Sequence, residues 1–183
     1  MIKTYLLHLL VSVLIAAPLY LLIRRPFRRG GRRELYLALF VLFHVGLFVL
    51  VLNGSYTNPL EMIRSAWQRI QSGEGINLVP FRTIARYFRA GFGENTAVNL
   101  IGNIIMFIPF GFGVPFFWKK AHTKLGLAAV LLCFTVLIEC CQLFVGRFFD
   151  VDDMILNFLG GLIGAAVYYL FYKKYPSIRG FAQ

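Results

Sequence analysis

The sequence predicts an all-α membrane protein: a polytopic helical bundle of about five transmembrane helices, with amphipathic helices lying outside it. Three observations carry that prediction. Hydrophobic residues make up 58% of the 183-residue chain and charged residues only 15%, against about a quarter charged in soluble domains. The apolar residues gather into runs at 5–23, 35–52, 98–118, 125–145 and 154–172, each near the roughly 20 residues a helix needs to cross a bilayer. Basic residues collect between alternate runs, as the positive-inside bias requires. A chain of this length reads as one domain, 1–183, with an outer interfacial segment at 53–97.

The first run has only Lys3 ahead of it and "RRPFRRGGRR" behind. A cleaved signal peptide puts its positive charge before the apolar core, so this run reads as a retained helix. Arg24, Arg25, Arg28, Arg29, Arg32 and Arg33 follow it, Lys119, Lys120 and Lys124 follow the third run, and Lys173, Lys174 and Arg179 follow the fifth. If all five runs span, these twelve of the nineteen basic residues share one side. That side is the cytoplasm, so the N-terminus is expected outside and the C-terminus inside a bacterial cell membrane. The net charge of +11 therefore speaks of topology and anionic lipid, and no nucleic-acid motif accompanies it.

Residues 53–97 are too polar to span. "NPLEMIRSAWQRIQ" opens like a helix, with Asn58 as N-cap, Pro59 at the first position and Glu61 completing a capping box. Ile63, Ala66, Trp67 and Ile70 then recur at helical spacing, which suits a helix lying in the outer interface. In "NLVPFRTIARYFRAGFG", Phe81, Ile84 and Phe88 mark one face, and Arg82, Arg86 and Arg89 another. Arginine forks suit phosphates and carboxylates, either as selective ligands or as plain headgroup anchors.

The third run places Asn99 and Asn103 four apart on one face, then interrupts its second half with Pro109, Gly111, Gly113 and Pro115. A kinked or unwound crossing is expected there, or a dip that does not cross. The fourth run carries "IECCQLF", with Glu139 and Gln142 three apart on one face. An acid at that depth needs a cavity or a partner, and Arg147, Arg82, Arg86 and Arg89 are the candidates. Cys133, Cys140 and Cys141 fall in the same run; their spacing matches no zinc motif, and they read as small buried side chains. His8, His44 and His122 are too scattered for a ligand set.

The fifth run opens with "GRFFDVDDMILNFLGG". Asp153, Asn157 and Gly161 step by four along one face, and Gly160 with Gly164 forms a close-packing GxxxG signal. Asp150 or Asp152 suits a helix cap, which leaves acid, Arg147 and Asn157 over. In the expected topology Asn99, Asn103, Glu139, Gln142, Arg147, the three acids and Asn157 converge on one polar site in the outer leaflet.

"NLVPFRTI", "NLIGNIIMFIPFG", "ECCQLF", "GRFFDVDD" and "ILNFLGGLIG", in this order and spacing, resemble the VanZ-like family of bacterial membrane proteins over residues 35–172. The resemblance picks out Asn77, Pro80, Phe81, Asn99, Gly102, Asn103, Pro109, Gly111, Glu139, Gln142, Arg147, Asp150, Asp152, Asp153, Asn157 and Gly161. It implies a cell-envelope role tied to low-level teicoplanin resistance, without the precursor rewriting behind vancomycin resistance. It implies no settled chemistry.

Three functions follow from these readings. The first is binding at the polar site, by Asn77, Arg82, Arg86 and the converging residues above, of membrane lipid, a lipid-linked cell-wall precursor or an acylated lipoglycopeptide. The second is a metal-assisted enzyme acting on a lipid or wall precursor. Asp150, Asp152 and Asp153 would hold Mg²⁺ or Ca²⁺, with Glu139 and Asp153 as catalytic candidates; "DVDD" lacks the glycine and distant glutamate of an EF-hand loop. The third is a structural partner of another envelope protein, its polar residues serving as interhelical glue.

Overall fold

The computed structural model describes residues 17, 18, 20, 31–52, 58–91 and 93–175. The first apolar run, apart from residues 17, 18 and 20, lies outside them, as do the basic loop at 24–29 and Arg179. The chain packs as two compact units, Met1–Asn53 and Gly54–Gln183. In the first, the second apolar run forms α1 (Arg32–Val51), where Arg33 pairs with Glu34 at 3.3 Å.

The second unit runs α2 (Pro59–Ser72), β1 (Ile76–Asn77), α3 (Arg82–Ala90), α4 (Glu94–Phe117), a 3-10 turn (Lys119–His122), α5 (Lys124–Phe144), β2 (Phe149–Asp150) and α6 (Val151–Lys174). The all-α class is as the apolar runs foretold. Among the described residues, α4 from Thr96, α5 and α6 are long and apolar enough to cross a membrane, and three such helices fit a membrane protein. α4 and α6 begin a turn earlier than hydropathy suggests, because their first turns are polar: "ENTA" and "VDD" are helical before the apolar run starts.

α2 starts as its sequence specifies. The Asn58 side chain accepts from the Leu60 amide at 2.9 Å, Pro59 follows, and Gly73 closes the helix in the left-handed region at φ 70°. Ala66 is buried, whereas Ile63, Trp67 and Ile70 stay at least half exposed. The helix thus docks through one small residue and leaves the rest of its apolar stripe open.

The third run is not unwound: α4 is one continuous helix over Glu94–Phe117 with Pro109 and Pro115 inside it. Each proline removes its own N–H and leaves the neighbouring turns intact. The Pro115 carbonyl is engaged by His122 Nε2 at 2.8 Å. At this end of the bundle His122 also lies against Tyr168, Tyr169 and Tyr172, with ring centroids about 6 Å apart.

Helix packing centres on α4 against α6, and the GxxxG signal marks it. A Cβ on Gly160 would stand 2.1 Å from the Ile104 carbonyl oxygen, one on Gly164 2.0 Å from that of Ile108, and one on Gly111 1.8 Å from that of Gly161. The two backbones therefore touch, as small-residue stripes allow. α5 closes the third side, with Phe134 stacked on Phe110 at 4.0 Å. Its inward stripe is Leu127, Leu131, Thr135, Ile138, Glu139 and Gln142. That phase turns Cys133 and Cys140 outward and leaves Cys141 half-buried, correcting the expectation of buried thiols.

Candidate functional site

The polar residues gather where α4 and α6 begin and α5 ends. β1 and β2 form a two-residue parallel ladder, Ile76 opposite Phe149 and Asn77 opposite Asp150. The Phe149 amide extends it to the Gly75 carbonyl at 2.9 Å. Gly75 has φ 73°, and a Cβ there would meet the Phe148 ring at 2.9 Å, so glycine is required twice over. Arg69 in the last turn of α2 donates to the Arg147 carbonyl at 3.0 Å, fastening the same loop from the other side.

The three acids of "DVDD" take three different jobs. Asp150 caps α6, accepting from the Asp152 amide at 2.9 Å, and also accepts from Asn77 Nδ2 at 2.8 Å and Thr83 Oγ1 at 2.6 Å. Asp152 is wholly buried and caps a different helix. Its carboxylate accepts from the amides of Phe81, Thr83 at 2.6 Å and Ile84 at 3.0 Å. These are amides that the start of α3 would otherwise leave without acceptors, and the negative charge suits the helix N-terminus. Phe81 sits at φ 64°, a strained conformation for a bulky residue, and its bond to Asp152 helps to hold it there. Asp153 accepts from Asn103 Nδ2 at 2.7 Å, joining α4 to α6.

Beneath them, Glu139 is fully buried. It accepts from the Asp150 amide at 3.1 Å, and Gln142, its carboxamide oriented by its hydrogen bonding, donates to both Glu139 oxygens at 2.9 and 3.3 Å. The hydrogen-bond partners of Glu139 are thus an amide and a carboxamide, and of the arginines expected from the sequence Arg147 acts on it through its charge alone. The end of β2 carries the Asp150 N–H directly onto the Glu139 carboxylate, whereas the side chains of Arg82, Arg86 and Arg147 are exposed. Asn157 is also buried, and its Oδ1 has no hydrogen-bond partner among the described residues.

Above this layer opens a cavity of about 490 Å³, within the range of small-ligand sites. Of the residues singled out in the sequence, Asn77, Arg82, Arg86, Asn99, Arg147, Asp150 and Asp153 line it. Asn103, Glu139, Gln142, Asp152 and Asn157 do not, and neither does Arg89. Thr83, Tyr87 and Phe148 line it as well and were not foreseen. Thr83 stands inside "NLVPFRTI", and its spacing of four to Tyr87 was the available signal. Tyr87 accepts from Asn99 Nδ2 at 3.0 Å, closing one rim of the cavity. Neither Arg82 nor Arg86 makes a side-chain hydrogen bond or ion pair among the described residues.

The acids do not form a metal centre. Among the described residues no three His, Cys, Asp or Glu side chains are grouped to hold an ion. Asp150 and Asp152 turn to separate donors, so the three carboxylates do not converge as Mg²⁺ or Ca²⁺ would need.

Thr83→Val should show how much the Asp150 connection contributes. It keeps the shape and removes the donor to the Asp150 carboxylate, together with the acceptor of a longer bond from Asn77 Nδ2 at 3.2 Å, so stability should fall by about 1–3 kcal/mol, while Thr83→Ser should retain it. Thermal unfolding in detergent reads the difference; equal midpoints for Val and Ser would show the bond to be dispensable.

Searches of curated proteins and of solved structures return no match to this chain. The model of the family described as VanZ/LLP1 matches residues 37–172, from α1 to the last turn of α6, and the chain belongs to that family.

Proposed function

We propose that this protein sits in the bacterial cell membrane, its N-terminus outside and C-terminus in the cytoplasm. There it binds an anionic, lipid-linked or acylated ligand at the outer end of the α4–α5–α6 bundle, lowering susceptibility to teicoplanin. One observation carries the reading: Arg82 and Arg86, one helical turn apart, line a single cavity with Arg147, and no protein carboxylate pairs with either α3 arginine among the described residues. Guanidinium forks held this way match phosphate or carboxylate oxygens.

Two further features support it. Leu78, Val79, Phe81 and Phe88, around α3, and Leu60, Ile63, Trp67 and Ile70, on α2, are all exposed. Such side chains suit the acyl region beside a headgroup site. The basic residues at 119–124 and 173–174 belong to the opposite end of the bundle, which the positive-inside bias assigns to the cytoplasm.

Susceptibility of a sensitive Gram-positive host expressing the chain tests the reading. The parent should raise the inhibitory concentration of teicoplanin several-fold and leave that of vancomycin unchanged. A double variant, Arg82→Gln with Arg86→Gln, should lose this protection at equal membrane abundance. Protection that persists in that variant would remove the cavity from the function.

A further inference from the structure

We infer that the ligand is dipolar: a phosphate ester bearing a primary ammonium group, with its phosphate on Arg82 and Arg86 of α3 and its ammonium on Asp153 of α6. The inference rests on the anion-binding reading above and goes further by assigning a second polar group in the lining of the same cavity.

Two carboxylates line the cavity, Asp150 and Asp153, and they differ in what is left to them. Asp150 is used up within the protein. Its Oδ1 accepts from Asn77 and from the Asp152 amide, and its Oδ2 from Thr83. Asp153 accepts from one protein donor, Asn103, on Oδ1. Its Oδ2 has no hydrogen-bond donor among the described residues; Arg147, in the same cavity lining, acts on Asp153 through its charge and leaves that oxygen open to a hydrogen bond.

A half-buried carboxylate with an unclaimed oxygen works against a ligand that is only an anion, because like charges in one site repel. It suits a ligand whose positive end reaches that oxygen. Asn103 fixes the carboxylate from α4, so the open oxygen is presented in a set orientation rather than swinging free. What such an oxygen recognises is an N–H donor, and charge-assisted bonds of this kind are the strong ones. A quaternary ammonium has no N–H to give and is recognised instead by aromatic faces. The lining holds two aromatic rings, Phe148 and Tyr87, against the several faces of an aromatic cage, whereas the open oxygen of Asp153 is a ready acceptor for N–H. The carboxylate therefore favours the primary amine. A lipid headgroup and a free phosphate ester share that chemistry.

The test is binding to the full chain in neutral detergent. The probes are short-chain phosphatidylethanolamine, its trimethylated counterpart phosphatidylcholine, short-chain phosphatidylglycerol and soluble phosphoethanolamine. Phosphatidylethanolamine should bind about tenfold more tightly than phosphatidylcholine or phosphatidylglycerol, the size expected for a hydrogen bond to a charged group. In Asp153→Asn, which can still accept from Asn103, the affinities should converge. Arg82→Gln with Arg86→Gln should lose all of them. If soluble phosphoethanolamine shows the same dependence on Asp153, the headgroup alone is recognised; if only the lipid binds, the ligand is membrane-borne. Equal affinities in the parent, with loss in the arginine variant, would overturn the dipolar ligand and leave the anion site standing. Binding untouched by the arginine variant would overturn both.

Discussion

Asp152→Ala is expected to lower the stability of the second unit by roughly 3 kcal/mol or more and to loosen the start of α3. The side chain is fully buried and is the acceptor for three amides, those of Phe81, Thr83 and Ile84. Each amide stranded in the interior costs about 1–3 kcal/mol, toward the low end wherever water can replace the lost oxygen. The strained φ of Phe81 loses its restraint in the same step. Asp152→Asn retains one carbonyl acceptor without the charge, so it should fall between alanine and the parent. Amide hydrogen exchange at residues 81, 83 and 84 reads the local effect, and thermal unfolding in detergent the global one. Parent-like exchange in the alanine variant would show that the cap is not what holds α3. Because α3 carries Arg82 and Arg86, the same variant should also lose ligand binding without any change to a cavity-lining residue.

That dual role of the "DVDD" acids explains how far the sequence could be read. Long apolar runs announce spanning helices because the bilayer interior demands a fixed length of apolar side chains. Local chemistry was equally legible: Asn58 and Pro59 start α2 through contacts within a few residues, and Asp150 caps α6 across two. The destination of Asp152 was not legible. Its partners lie about seventy residues upstream, and the β1–β2 ladder, two residues long, together with the Asp150 bonds to Asn77 and Thr83, brings α3 to it. Glu139 shows the same limit. Burial and spacing marked it as needing a partner, and Gln142 was in view, but the Asp150 amide becomes one only when β2 crosses above. Charge complementarity pointed to an arginine because opposite charges are easy to see in a sequence, whereas a backbone N–H belongs to every residue but proline. The continuity of α4 through Pro109 and Pro115 was hidden for a related reason: a helix loses one hydrogen bond per proline, and that need not unwind it.

Gly164→Ala should have an effect of comparable size from a different cause. Its Cβ would stand 2.0 Å from the Ile108 carbonyl oxygen and 2.8 Å from the Phe112 amide nitrogen, both backbone atoms that cannot rotate away. α4 and α6 would have to separate along the seam where they pack most closely, and overpacking of this sort costs about 1–3 kcal/mol or more. Gly111→Ala, with its Cβ 1.8 Å from the Gly161 carbonyl oxygen, should behave alike. The separation reaches the site, because Ile104, whose carbonyl lies against Gly160, directly follows Asn103, the donor to Asp153. Both alanine variants should therefore unfold earlier and bind ligand more weakly. Gly102→Ala provides the contrast: it lies in the same helix with nothing within 4 Å of an added Cβ, and should stabilise α4 by about 0.5–1 kcal/mol through reduced backbone entropy. Thermal unfolding of the three variants in one detergent separates the cases. If Gly164→Ala and Gly102→Ala unfolded at the same temperature, the α4–α6 seam would not be the contact that holds the bundle, and its small residues would need another explanation.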